Sequence, residues 1–276
     1  ILDRSYDAGI DFFDTAENYP VPPDPKWAGV TEEIVGRWLK TKSRDSVLIA
    51  TKVSGPSHGW IKAAVRDGKT TLDRHNIIRA VEASLQKLQT DYIDLYQLHG
   101  GTIEDPWDEP LEAFEILKDQ GKIRAFGISS IRPNVIREVL SKSKPATEMM
   151  QYNPLDRRPE ETAFPEIRNT SSKVLVRGAF VKGLLIDKAA KPFLNFDTIK
   201  VKDFQTFTNA QDFSPEAILI RFGLAKSVVA SLVIGASSVA QLEKILAGYE
   251  LSQSISEAAL TKFQQKFPVH HYDSHR

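Results

Sequence analysis

The chain has 276 residues, of which 41% are hydrophobic. That is enough for one large core, and no shift in composition divides it, so residues 1–276 are expected to form a single domain. Lys+Arg and Asp+Glu each total 36, which leaves no net field to attract nucleic acid. The absence of cysteine excludes a disulfide framework and a thiolate metal site. The apolar runs are too short to cross a bilayer, and no basic segment followed by an apolar one opens the chain, so a cytoplasmic enzyme-sized domain is expected.

In chain order, Ile1 to Ala8 reads as the end of a helix closed by Gly9. Ile10–Phe13 is the first predicted strand. Thr31 then reads as the N-cap of a helix burying Ile34, Val35, Trp38 and Leu39. Val47–Thr51 is the second strand. Asp73 caps a helix burying Ile77, Ile78, Val81, Leu85 and Leu88, and Ile93–Leu98 follows as a strand. Leu111, Phe114 and Leu117 give one helical face that ends near Gly121. The strand Ile123–Ile128 precedes a helix opened by Pro133. Glu148–Tyr152 and Val174–Val176 are the next strands; Ser214 and Pro215 open a further helix, and Leu232–Ile234 is the last strand. Strands alternating with helices imply a parallel sheet, and their number over this length predicts an α/β fold of the (β/α)8 TIM-barrel type. A helix in this alternation follows a strand. A barrel without its first strand would expose two edges, so one strand is expected to precede Ile1.

Active sites of such barrels collect at the C-terminal ends of the strands. Asp14 ends the first strand, Lys52 follows VLIAT, His99 follows DLYQL, and Tyr19 stands five residues after Asp14. Singly, each has a plain reading: a turn residue, a solvated lysine, a histidine bonded to backbone. Together they form a proton-transfer set. A phenol with an ordinary pKa of about 10 is a poor acid near neutrality, a neighbouring ammonium favours its phenolate, and a carboxylate keeps that ammonium charged. His99 can bond a substrate oxygen. Nothing in this set carries electrons or hydride, so redox work by it requires a cofactor.

FDTAENY, LIATK, YIDLYQLH and VIGASSVAQL resemble the aldo-keto reductase superfamily over essentially the whole chain. Within it, YPVPPDP, ATKVSGPSHGW and TLDRHNI are similar to the bacterial Tas-like branch, and HGGTIED, FGISSIRPNVI and DRRPEE to another bacterial branch. The resemblance implies reduction of aldehydes or ketones by NADPH without a metal. Tyr19 would be the general acid, Lys52 and Asp14 its tuning partners, and His99 the residue that orients the carbonyl. It also implies that Ser129 and Gln151 hold the nicotinamide carboxamide. Ser130 stands where the family commonly has Asn, and Arg177 where many relatives stack a Tyr; Arg177 would stack or meet the pyrophosphate. Gly178, Lys182 and Gly183 fall in the loop expected over the pyrophosphate. Ser237, Ser238 and Gln241 are expected beside the adenosine phosphate at a helix N-terminus. Many relatives have Arg or Lys where Ser238 stands, and Glu-Asn at Lys244 and Ile245, so a moderate preference for NADPH over NADH is expected.

The loops after the first three predicted strands carry Trp27, Trp60 and Trp107, which suit either an apolar carbonyl pocket or burial beneath their own loops. His58, His270 and His271 lack metal-ligand spacing and read as solvated. Two other functions fit the same pattern: an NADPH-binding regulatory subunit with negligible turnover, and an inactive barrel.

Overall fold

A computed structural model describes residues 1–22, 24–55, 72–269 and 271–276. Its elements run α1 (Leu2–Asp7), β1 (Phe12–Asp14), α2 (Val30–Leu39), β2 (Leu48–Ser54), α3 (Arg74–Leu88), β3 (Ile93–His99), α4 (Asp108–Asp119), β4 (Ile123–Ser129), α5 (Pro133–Lys142) and β5 (Thr147–Gln151). They continue with α6 (Ala163–Arg168), β6 (Lys173–Arg177), α7 (Thr198–Asn209), α8 (Pro215–Leu224), β7 (Val229–Val233), α9 (Val239–Ser252) and α10 (Glu257–Gln265). The seven strands follow one another in chain order in one sheet. The chain divides into two compact units, one of Leu2 with Gly9–Glu148 and the other of Ile1, Asp3–Ala8 and Met149–Arg276.

In the first unit, β1, β2, β3 and β4 pair in parallel, with Asp14 beside Ala50, Lys52 beside Gln97, and His99 beside Ser129. Side chains alternate along a strand, so Gln97 and His99 share one face of β3. All seven residues of β3 are buried, as expected for a parallel strand covered on both faces. Phe114 of α4 lies between Tyr96 and Phe126, at ring separations of 5.9 and 5.1 Å. Gly36 lets α2 lie against α3, because a Cβ there would stand 2.3 Å from the Lys87 carbonyl oxygen. In the second unit, β6 and β7 pair in parallel. Tyr152 stacks on Phe222 at 5.1 Å, and Phe204 and Phe263 pack on Phe267 at 4.8 and 4.9 Å. Each buried aromatic of this kind contributes about 1.5–3 kcal/mol.

Several predicted details are corrected. Gly29, in the left-handed region at φ 84°, is the N-cap of α2 rather than Thr31, whose hydroxyl lies 2.8 Å from that of Thr15. Ile34 is 43% exposed and Ile78 only half-buried. β1 starts two residues later than Ile10 and includes Asp14. β2 continues past Lys52 to Ser54, because Val53 and Ser54 pair with Leu98 and His99. The last strand is Val229–Val233 rather than Leu232–Ile234, since pairing with β6 begins at Val174 and Val229. Asp73, Ser214 and the turn at Gly121 stand as predicted: Asp73 accepts from the Asn76 amide, Ser214 from the Ala217 amide, and Gly121 has φ 71°.

Candidate active site

Four of the predicted residues come together in the first unit. Asp14 closes β1 and His99 closes β3; Lys52 lies within β2, and Tyr19 in the loop after β1. Lys52 is 1% exposed. Burying an ammonium is costly unless it is paired, and Lys52 is paired: its Nζ donates to Asp14 Oδ2 and, at 2.8 Å, to the Thr15 carbonyl. Two of the three ammonium hydrogens are thus taken. The third can serve the Tyr19 phenol, whose ring centroid is 5.3 Å from Nζ. His99 meets the same ring edge-on, at 5.9 Å and 80°. Burial raises the Asp14 carboxyl above the ordinary carboxylate value, and the Lys52 ammonium with the hydrogen bonds from Lys52 and Gln97 acts against that rise.

Two contributors escaped the sequence reading. Gln97 Nε2 donates to Asp14 Oδ1 at 3.2 Å; its place two residues before His99 in a strand was the available signal, since that spacing shares a face. Glu17, buried within FDTAENY, accepts from the Ser54 amide at 2.5 Å and ties the Tyr19 loop to the end of β2. The Gly29 amide also donates to the Tyr19 carbonyl at 3.1 Å. Of the tryptophans, Trp107 is 3% exposed and spends its indole N–H on the Thr102 carbonyl at 2.9 Å, which is burial beneath its own loop. Trp27 is 48% exposed, with the Lys26 ammonium 4.8 Å from its ring. Trp60 and His58 lie outside the described residues.

The residues expected to hold the cofactor are distributed as follows. Ser129, the last residue of β4, and Ser130 are each 8% exposed, and the Ser130 hydroxyl accepts from the Arg132 amide at 3.2 Å. In the second unit, Gln151 Nε2 donates to Asp156 Oδ2 at 2.8 Å, so its oxygen is the end left to receive an amide N–H. Gly178 has φ 69°, and a Cβ there would stand 3.3 Å from that oxygen. Arg177 is exposed at the end of β6. Val181, Lys182 and Gly183 follow one another at φ 52°, 55° and 88°. For a buried β-branched residue such as Val181 this is strained backbone, costing about 1–3 kcal/mol. Ser238 caps α9 by accepting from the Gln241 amide at 3.1 Å, and Gln241 Oε1 accepts from the Ser237 amide at 2.8 Å. This reciprocal capping gives Ser237, Ser238 and Gln241 a local occupation. His271 is exposed and its Nδ1 lies 3.2 Å from Glu161; His270 lies outside the described residues.

The family model described as "Aldo/keto reductase family" matches residues 1–263. This chain belongs to the aldo-keto reductase family. It is 37% identical to the uncharacterized oxidoreductase YqkF of Bacillus subtilis, over 100% of the chain and 89% of that protein. It is 26% identical to the NADH-specific methylglyoxal reductase of Escherichia coli, over 94% of the chain and 84% of that protein. Among solved structures it is similar to the holo form of aldo-keto reductase AKR11C1 from Bacillus halodurans, at 38% identity and a TM-score of 0.88, over 100% of this chain and 89% of that one. The fold class is accordingly the TIM-type barrel of parallel strands alternating with helices, and the activity class is oxidoreductase. The match to YqkF spans the residues of both sets of bacterial motifs.

Proposed function

We propose that this aldo-keto reductase reduces aldehydes or ketones to alcohols with NADPH, Tyr19 giving the proton. The observation that carries the reading is the buried Lys52 ammonium, held by Asp14 and the Thr15 carbonyl, with Tyr19 and His99 beside it. Bound NADPH would supply hydride to the carbonyl carbon. The protein supplies the rest. Negative charge developing on the carbonyl oxygen meets the Tyr19 hydroxyl and the His99 ring, and the phenol gives up its proton as that charge grows. Lys52 stabilises the phenolate that remains, and Asp14 keeps Lys52 charged after desolvation.

The residues fit a nicotinamide cofactor. Within the second unit, the Gln151 side-chain oxygen is left by the bond to Asp156 to receive a carboxamide N–H, and the missing side chain at Gly178 leaves the approach to it open. Arg177 and Lys182 supply positive charge for phosphate. Gly183 gives the loop its turn, and Ser237, Ser238 and Gln241 open α9. NADPH is preferred over NADH on the family resemblance; the NADH-specific relative and the serine at 238 make that preference a moderate one. The substrate is a small carbonyl compound.

The test is a Tyr19→Phe variant, followed by nicotinamide absorbance with a reactive aldehyde. Turnover is expected to fall by about 10²–10⁴-fold, with NADPH affinity close to that of the parent by fluorescence titration. Equal turnover in variant and parent would remove Tyr19 from the chemistry. Negligible turnover of the parent with every aldehyde, alongside tight NADPH binding, would replace the enzyme by a binding subunit.

A further inference from the structure

Gln97 lies in β3, 0% exposed, directly beside Lys52 in the register of β2 and β3 and two residues before His99 on the same face. A polar amide in such a position is retained at a cost. One end is used: Nε2 donates to Asp14 Oδ1 at 3.2 Å. The other end, Oε1, is buried with no hydrogen-bond partner among the described residues. A leucine or methionine would fill the same volume without an orphaned oxygen. Turning the amide over would set Oε1 against a carboxylate oxygen, so the negative charge on Asp14 decides which way Gln97 points.

We infer that Gln97 is a positioning residue for proton transfer: by holding Asp14 Oδ1 it turns Oδ2 toward Lys52 and keeps the carboxylate ionised beneath the Tyr19 phenol. This rests on the reading that Asp14, Lys52 and Tyr19 carry the proton chemistry. The two oxygens of Asp14 are divided between two donors, the ammonium on Oδ2 and the neutral amide on Oδ1. A second cation on Oδ1 would compete with Lys52 for the carboxylate, whereas a neutral donor satisfies the oxygen and leaves the ion pair undivided. Among the described residues, the charged and titratable groups placed around the pair are Lys52 on β2, His99 on β3, and Tyr19 and Glu17 in the loop after β1. Of these, only Lys52 touches Asp14 by hydrogen bond; Glu17 spends one oxygen on the Ser54 amide.

The experiment compares parent, Gln97→Met and Tyr19→Phe in NADPH-dependent reduction of nitrobenzaldehyde across pH. Methionine keeps the volume and removes the donor. Without that donor Asp14 takes up a proton more readily, so the acid limb of kcat moves to higher pH by about one unit. Below the limb, kcat falls about tenfold. The KM for the aldehyde and the NADPH dissociation constant stay within about twofold, because Gln97 touches neither ligand in this reading. In an Asp14→Asn background, Gln97→Met should add nothing further. A purely structural role would lower the unfolding midpoint and leave the pH limb in place. If Gln97→Met does not fold, Gln97→Asn, which withdraws the amide by one methylene, is expected to show the same displaced limb. An unshifted limb in a folded variant overturns the positioning role, as does failure of both variants to fold. Absence of turnover in the parent overturns the reductase reading, and the positioning role falls with it; an active parent with an unshifted variant overturns the positioning role alone.

Discussion

Glu148 is 0% exposed in β5, and neither carboxylate oxygen has a hydrogen-bond partner among the described residues. A carboxylate so placed would lose its hydration with nothing in return, and burial pushes its pKa well above the ordinary 4.5. Glu148 is therefore held as the neutral acid. The sign of the linkage follows: with the folded pKa raised, the favourable contribution is fully present below the unfolded value and is lost as pH rises through the folded one. Over that window stability falls by up to about 1.4 kcal/mol per pH unit. Glu148→Gln, neutral at every pH and similar in shape, is expected to lose less stability than the parent between pH 5 and pH 8. Urea unfolding midpoints at the two pH values check this, and parallel declines in variant and parent would mean that Glu148 carries its charge in the folded state.

The elements themselves depend on side chains that the hydrophobic pattern does not reveal. Arg44, in the single turn that leads from α2 into β2, donates to the Thr90 hydroxyl, to the Val47 and Tyr92 carbonyls and to Asp94 Oδ2, at 2.7–2.9 Å. Asp94 Oδ2 also accepts from the Ile49 amide at 2.9 Å. One guanidinium thus joins the entries of β2 and β3. Lysine has the charge but not the planar fork, so Arg44→Lys should leave buried acceptors unmet and cost about 2 kcal/mol, measured by urea unfolding. A loss below a few tenths would show that water replaces the missing bonds. Element existence was legible because β-branched runs and helical faces repeat along the chain, as Leu111, Phe114 and Leu117 illustrate. Element ends were less so. The start of α2 went to Gly29 through its backbone conformation, and the end of β2 passed Lys52 because β3 offered partners; both depend on contacts that a local pattern does not contain.

At the scale of the whole molecule, the four residues proposed for proton transfer were singled out because the strand ends, and the loop after the first strand, point to them. The bond from Gln97 to Asp14 joins residues 83 apart and has no local signature. The residues proposed for the cofactor carry a different ambiguity: Ser238 and Gln241 also cap the start of α9, and spacing alone serves both readings. Ligand-linked stability separates binding from chemistry across the entire chain. A ligand that binds only the folded state stabilises it by RT ln(1 + [L]/Kd), about 2.7 kcal/mol at a hundredfold excess over Kd. For a chain of this length the melting temperature should then rise by roughly 5–10 °C on adding NADPH. Tyr19→Phe should show the same rise, because in the proposed reaction its hydroxyl acts on the substrate oxygen and not on the cofactor. NADH at the same concentration should raise the melting temperature by less, the gap between the two reporting what the residues that open α9, Ser238 among them, contribute to the adenosine phosphate. Equal rises for both cofactors would remove the NADPH preference while leaving the reductase chemistry intact, and no rise for either would remove the cofactor site from this chain.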